Sequence, residues 1–335
     1  MRALLLFALL AVPIAADETR IREAIALHDA GRYDDAIAIY KSILAEDASN
    51  TFAAYELALS LQAKGDHAQC IEVTKKHADA EGELQAGFLT TLGSCLDIAG
   101  KHDEAIATFR KGLALVPDEP MLLYNLGVTL WGQQQYAEAR ELLKKELTVW
   151  PAHPSGHYVL AQIFEKENFR AAAILSYLRF LALEPSSARS KDAAARALGL
   201  MSLGVTREGP KNVTVNVDAE ARREEGDFSV WHMMLGLSAA ARTLPEKRRK
   251  SEFELTHEQL ASSLRMLIEA RDDLGASYSA RQNVAFFADL EENQVLDGYA
   301  AVALSSLNLK GGDRWLKKND AAVQSYIAYI RSTMH

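Results

Sequence analysis

The sequence predicts an all-α protein in which stacked helical hairpins fill the N-terminal half and a separate helical domain follows. Three observations carry this. Small residues return at a constant interval: Gly93 recurs as Gly127, and Ala105 as Ala139 and then Ala173, each step being 34 residues. Proline closes the same units, with Pro117, Pro151 and Pro185 at the same spacing. The register also extends upstream, because Gly31 and Gly65 are 34 apart, as are Ala36 and Cys70, while the 35 residues from Gly65 to Gly100 imply one inserted residue. A fixed period of this length marks a supersecondary unit used repeatedly.

The units follow in order from Asp17. The first has Gly31, Tyr33, Ala36, Tyr40 and Leu44 and ends at Ala48; the second has Leu57-Ala58, Leu61, Gly65 and Cys70 and lacks the closing proline. The third, from Ala86, carries Leu92-Gly93, Leu96, Gly100, Ala105, Phe109, Leu113 and Pro117. The fourth, from Pro120, carries Leu126-Gly127, Leu130, Tyr136, Ala139, Leu147 and Pro151, and the fifth Leu160-Ala161, Phe164, Ala173, Tyr177, Leu181 and Pro185. Two helices that cross closely need small residues at the contact, so Ala36, Gly93, Ala105, Gly127, Ala139, Ala161 and Ala173 are the expected packing positions. Proline ends the second helix because it cannot donate the next backbone hydrogen bond. One hairpin cannot cover its own apolar face, whereas a stack buries a continuous core and curves into a concave surface. Ser187 to Leu203, rich in Ala and Leu, reads as a helix capping the last unit.

This pattern resembles the tetratricopeptide repeat over residues 17–185. The resemblance implies a superhelix of about five repeats plus the capping helix over 17–207, a fold that binds other proteins and performs no chemistry itself. It also implies that the first helix of each unit lines the inner wall at its second, fifth, ninth and twelfth positions. The fifth positions are Ile21, Tyr55, Thr90, Tyr124 and Tyr158; the ninth are Ile25, Leu59, Ser94, Val128 and Gln162. Phe52, Met121 and Trp131 stand near them. The expected groove set is therefore Phe52, Tyr55, Tyr124, Val128, Trp131, Tyr158 and Gln162, suited to an extended peptide or a partner helix with apolar anchors. The Lys, Arg and Asn set with which some family members grip a C-terminal carboxylate is absent from these positions. A second reading of the tyrosines, packing against neighbouring helices, stays open.

After the repeats, Val213 to Val217 alternates like a strand with no evident second strand, so an extended linker is the other reading. Asn212-Val-Thr fits a glycosylation sequon, which means nothing without a eukaryotic secretory pathway. From Asp227, read as an N-cap, helical periodicity resumes through Trp231, Met234, Leu235, Leu237 and Ala241 and stops before Pro245. Glu254 to Leu274 makes a second helix. Further helices run from about Arg281 to Leu307 with a break near Glu292, and Gly311-Gly312 precedes a last pair ending near Arg331. Residues 208–335 thus form a helical domain of unknown role. The basic run Lys247-Arg248-Arg249-Lys250 reads as a solvated inter-helix loop.

Met1-Arg2, an apolar run from Ala3 to Val12, Pro13 and small residues have the layout of a secretory signal over 1–16, with cleavage expected after Ala16. The run is short for a permanent span, which needs about 20 apolar residues, so the expected mature protein is exported, periplasmic or secreted, with no stable membrane span. The 335 residues carry a formal net charge of −8 and a sequence pI near 5.7, which argues against nucleic acid as a partner. Cys70 and Cys95, the two cysteines, fall on helices expected to adjoin, so they read either as a disulfide or as two buried thiols. His153 and His157 share a helix face at a spacing that can bind zinc, yet no third ligand is indicated, so neither metal nor cofactor is expected. No nucleophile, phosphate-loop or zinc-protease motif occurs, so no catalytic residue is assigned. The expected role is an exported interaction scaffold for a protein or peptide partner. Two alternatives stay open: a substrate-recruiting array joined to an enzymatic C-terminal domain, and a homo-oligomer whose groove is filled by another copy.

Overall fold

A computed structural model describes residues 4–79, 81–208, 212–215, 225–242, 247 and 249–333. The helices are α1 (Leu4–Asp29), α2 (Tyr33–Glu46), α3 (Thr51–Lys64), α4 (His67–His77), α5 (Gln85–Ile98), α6 (His102–Leu115), α7 (Pro120–Gly132), α8 (Tyr136–Val149), α9 (Pro154–Lys166), α10 (Arg170–Leu183) and α11 (Ala188–Met201). A two-stranded antiparallel hairpin follows, β1 (Val205–Glu208) and β2 (Asn212–Val215). The chain ends with α12 (Ser229–Ala241), α13 (Glu252–Glu269), α14 (Ala285–Glu292), α15 (Leu296–Leu304), α16 (Gly312–Lys318) and α17 (Asp320–Thr333). It divides into two compact units, residues 1–142 and 143–335, with the division falling inside α8. Among the described residues no helix is long and apolar enough to cross a membrane. Met1, Arg2 and Ala3 of the expected signal lie outside the described residues.

The hairpin turns explain why the glycines recur. Gly31, Gly65 and Gly100 sit at φ of 74°, 87° and 77°, in the left-handed region that costs a residue without Cβ nothing. Each ends its helix in the same way: Gly100 N–H donates to the Asp97 carbonyl and Lys101 N–H to the Leu96 carbonyl, both at 2.9 Å. This pair of bonds satisfies carbonyls that a helix terminus leaves orphaned. Gln134 and Asn168 hold the same place in the next two turns, at φ of 61° and 63°. Gln294, at φ 59°, makes the turn once more between α14 and α15, through Gln294 to Glu291 and Val295 to Leu290, each 2.9 Å.

Within residues 1–142 each hairpin packs on the next, α2 against α3 and α4 against α5. The expected packing residues Ala36 and Ala105 are fully buried, as is Ala139 on α8. At Gly93 a Cβ would land inside the Phe109 ring, so α5 and α6 approach as closely as they do only because that position is glycine. Gly127 is buried on α7. Cys70 takes the small-residue place on α4 and is bonded to Cys95 on α5, both fully buried, linking one hairpin to the following one.

In residues 143–335 the last repeat does not end its core at Pro185. Every residue of α10 from Arg170 to Ala182 is buried, because one apolar cluster joins Ile174, Tyr177 and Phe180 to Phe253, Phe287 and Tyr299. Tyr299 Oη donates to the Leu178 carbonyl at 2.8 Å and Tyr326 Oη to the Ala182 carbonyl at 3.2 Å. Ala161 lies in this core, and Ala173 on α10 is likewise fully buried. The Arg170 guanidinium reaches the end of α11, donating to the Leu200 and Leu203 carbonyls at 2.8 and 3.1 Å, where a cation complements the helix dipole.

Several boundaries differ from the sequence reading. The strand-like stretch does have a partner: Val205 pairs with Val215 and Thr206 with Thr214, so it is a hairpin strand and not an extended linker. Asn216 and Val217 lie outside the described residues. Asp227 acts one residue before the cap, its Oδ1 accepting from Ser229 N–H and Oγ–H at 3.1 and 2.6 Å. The next helix begins at Glu252, not Glu254, because Ser251 and Glu254 form a reciprocal capping box, and it ends at Glu269 before a 3-10 turn. At α15 the helix contact has moved: Tyr299 follows the turn at the spacing where the repeats have Ala, while Gly298 meets the backbone of Ala322 on α17.

Candidate partner-binding face

In residues 1–142 the first helices of successive hairpins touch one another, α1 with α3, α3 with α5 and α5 with α7. Polar and aromatic bridges between them set their spacing. His28 Nδ1 and Ser60 Oγ lie 2.8 Å apart, joining α1 to α3. Tyr55 on α3 meets Phe88 on α5 edge to face, with ring centroids 5.3 Å apart. The same ring lies 2.9 Å from where a Cβ on Gly87 would stand, so the glycine makes room for the tyrosine. Burial raises the Tyr55 phenol pKa, keeping it protonated. Asn125 Nδ2 on α7 donates to Ser94 Oγ on α5 at 3.2 Å.

On this scaffold the positions singled out by spacing fall on one class of surface. Tyr55, Tyr124, Val128 and Trp131 are half-buried, as are Ile21, Ile25, Leu59, Thr90 and Ser94. Phe52 and Met121 project further, at 43% and 40% exposure. A half-buried aromatic or aliphatic side chain is held in place by its own helix and still offers area to a partner, which limits the entropy lost on binding. The opposite helices carry charges instead: Lys75 pairs with Glu104 at 3.3 Å and Arg110 with Glu138 at 2.8 Å. These exposed pairs contribute little, about 0–1 kcal/mol each.

Within residues 143–335, Tyr158 and Gln162 on α9 are half-buried and face a different environment. Tyr158 Oη donates to Asp192 Oδ2 on α11 at 2.8 Å, and its ring leans on Phe180 at 5.0 Å. Arg189 donates to Ser155 Oγ at 3.0 Å, and Arg196 pairs with Glu165 at 3.1 Å. The α9 surface is therefore tied to α11 by charged and hydroxyl groups, and Tyr158 is engaged by the neighbouring helix.

His153 and His157 serve packing. His153 Nδ1 lies 2.7 Å from Oε1 of the fully buried Glu146. His157 Nε2 lies 2.9 Å from the Pro151 carbonyl, so that nitrogen carries the proton. Burial, with Arg179 adding to it, pushes the His157 pKa down to about 3, leaving the imidazole neutral. Arg179 also donates to the Pro151 carbonyl, at 3.2 Å, and stacks 3.8 Å from the centre of the Phe286 ring. Pro154 stands at the first helical position of α9, where a missing N–H costs nothing. Among the described residues no three His, Cys, Asp or Glu side chains converge as metal ligands would. Sequence reasoning missed the bridges between first helices; the recurrence of His28, Ser60, Ser94 and Asn125 on them at intervals of about one repeat was the available signal.

Two family models match the repeat region. A family model described as tetratricopeptide repeat matches residues 92–156 and again 124–188. A model described as anaphase-promoting complex, cyclosome, subunit 3, matches residues 29–112. No curated protein matches the chain. Among solved structures, the tetratricopeptide protein TTC0263 of Thermus thermophilus is 20% identical and covers 56% of this chain and 100% of its own, with a TM-score of 0.45. PilF of Pseudomonas aeruginosa is 22% identical, covering 56% of this chain and 83% of its own at a TM-score of 0.49. MamA of Desulfovibrio magneticus RS-1 is 16% identical, covering 51% and 97% at 0.44.

Proposed function

Taking residues 29–188 as tetratricopeptide repeats, we propose that the chain is an exported interaction scaffold that holds an extended peptide or a helix of a partner protein against the first-helix face of residues 1–142. The observation that carries this reading is the row of half-buried Tyr55, Tyr124, Val128 and Trp131, with Phe52 projecting beyond them. Bridges between the helices pre-organise the row, so binding does not have to order the surface it uses. Export is supported by the positive start, apolar run and small residues before Asp17, and by the bond between Cys70 and Cys95, since disulfides persist in oxidising compartments.

The test is capture of a partner from an envelope extract by the full chain and by a Tyr124→Ala/Val128→Glu variant. Anchors of this kind cost about 2 kcal/mol or more when truncated, roughly 30-fold in affinity. Capture should fall by at least that factor while the far-ultraviolet circular dichroism stays unchanged. Equal capture by both proteins contradicts the reading, and capture of a second copy of this chain alone replaces it with self-association.

A further inference from the structure

A second surface, independent of the repeats, lies in the C-terminal helices. Helices α12 and α13 leave between them an open slot of about 330 Å³, at the low end of small-molecule pockets. Its walls are Met234, Leu237 and Ala241 from α12 and Leu255 and Met266 from α13. Leu237 is 50% exposed and Met266 38%, so large apolar side chains stand open to water on both walls. Unbranched Met side chains adapt to the shape of an apolar guest.

One end of the slot is polar. Gln259 is only 3% exposed and lines the slot, and its Nε2 has no hydrogen-bond partner among the described residues. A buried amide donor left unsatisfied is costly, and an acceptor arriving with a ligand would satisfy it. Beside it, Arg242 donates through Nη1 to Gln259 Oε1 at 2.9 Å and through Nη2 to Thr256 Oγ1 at 3.0 Å. Both of these partners are neutral. Among the described residues the only carboxylate lining the slot is Glu258, which Lys247 holds at 2.7 Å and Lys250 also contacts. Glu252 adds a second carboxylate within the field of Arg242. Three cations thus face two carboxylates at this end, and the basic run read as a loop supplies two of the three. Arg248, from the same run, lies outside the described residues.

We propose that this slot binds a single-chain amphipathic carboxylate of medium length, with its head on Gln259 Nε2 and the Arg242 guanidinium and its tail along Met234, Leu237 and Met266. A carboxylate supplies two acceptor oxygens where one buried amide and one guanidinium present donors, and the apolar walls remove the chain from water. A neutral head would forgo the charge-assisted hydrogen bond to Arg242, and a cationic head would be repelled by the excess of cations at this end.

Isothermal titration of the full chain with decanoate, decanol and decyltrimethylammonium, each below its micellar concentration, tests this. Decanoate should saturate one site, with the other two at least tenfold weaker. Arg242→Gln should weaken decanoate at least tenfold. Leu237→Glu, at a half-exposed position where folding is not at stake, should abolish binding by placing a charge on the wall. Absence of saturable decanoate binding overturns the proposal, as do equal affinities for the three heads or wild-type binding by both variants.

Discussion

Reduction of the Cys70–Cys95 bond is the sharpest probe of how the hairpins of residues 1–142 hold together. The bond closes a loop of 25 residues, and the loop-entropy relation gives about 3.5 kcal/mol for a loop of that size, with measured disulfides typically giving about 2–4 kcal/mol. Both sulfurs are fully buried and the small-residue contact at Cys70 remains after reduction, so the packing of α4 on α5 is unchanged and the loss falls on the unfolded side. Amides of α4 and α5 exchange hydrogen through opening of these hairpins. A loss of about 2–3.5 kcal/mol accelerates that exchange roughly 30- to 400-fold. Hydrogen exchange read by mass spectrometry, with and without reductant, should show the acceleration in peptides covering 67–77 and 85–98. Peptides covering 252–269 and 296–304 should be unaffected. Acceleration below about threefold in the first pair would refute the claim that this bond staples consecutive hairpins.

Two further outcomes follow from named contacts. Gly93→Val forces a branched side chain into the Phe109 ring, so residues 1–142 should lose about 1–3 kcal/mol or more in urea denaturation; wild-type stability would mean that α5 and α6 do not cross there. His157, whose pKa is pushed down to about 3, gives stability that is present above the unfolded value near 6.5 and is lost as the pH falls toward 3. The unfolded state takes up the proton first, and the loss between about pH 7 and pH 5 is about 2 kcal/mol. Glu146, raised by burial, works in the opposite direction, its contribution being present at low pH and lost as the pH rises through its raised pKa. Relative to His157→Asn, the wild type should lose about 2 kcal/mol of its advantage over that interval, and parallel pH curves for the two proteins would contradict the assignment.

The repeats were legible because their cause is local and periodic. A left-handed turn and a close helix crossing each demand a small residue, and Gly31, Gly65, Gly93 and Gly100 record both. Where a turn tolerates a side chain the signal vanishes, so the α14–α15 turn at Gln294 was invisible although its backbone bonds match those at Gly100. Short β1 lacked any pattern long enough to read; Val205-Thr206 became a strand only through its partner. The all-round burial of α10 was half visible in its composition, with two charges in 14 residues, but which residues cover it depends on long-range contacts such as Tyr299 with Leu178. The candidate face was legible by position, since Tyr55, Tyr124 and Val128 fall where the repeat geometry puts them. What spacing could not supply was the engagement of Tyr55 by Gly87 and Phe88, or of Tyr158 by Asp192, because those partners lie one repeat away.

Site-specific photocrosslinking tests the central claim most directly. A benzophenone amino acid placed at Val128 on the first-helix face and, separately, at Ala107 on the exposed side of α6 reads which surface meets a partner in the cell envelope. The scaffold reading predicts a discrete heterologous adduct from position 128 and none from 107. Adducts of equal yield at both positions, or at 107 alone, would contradict it.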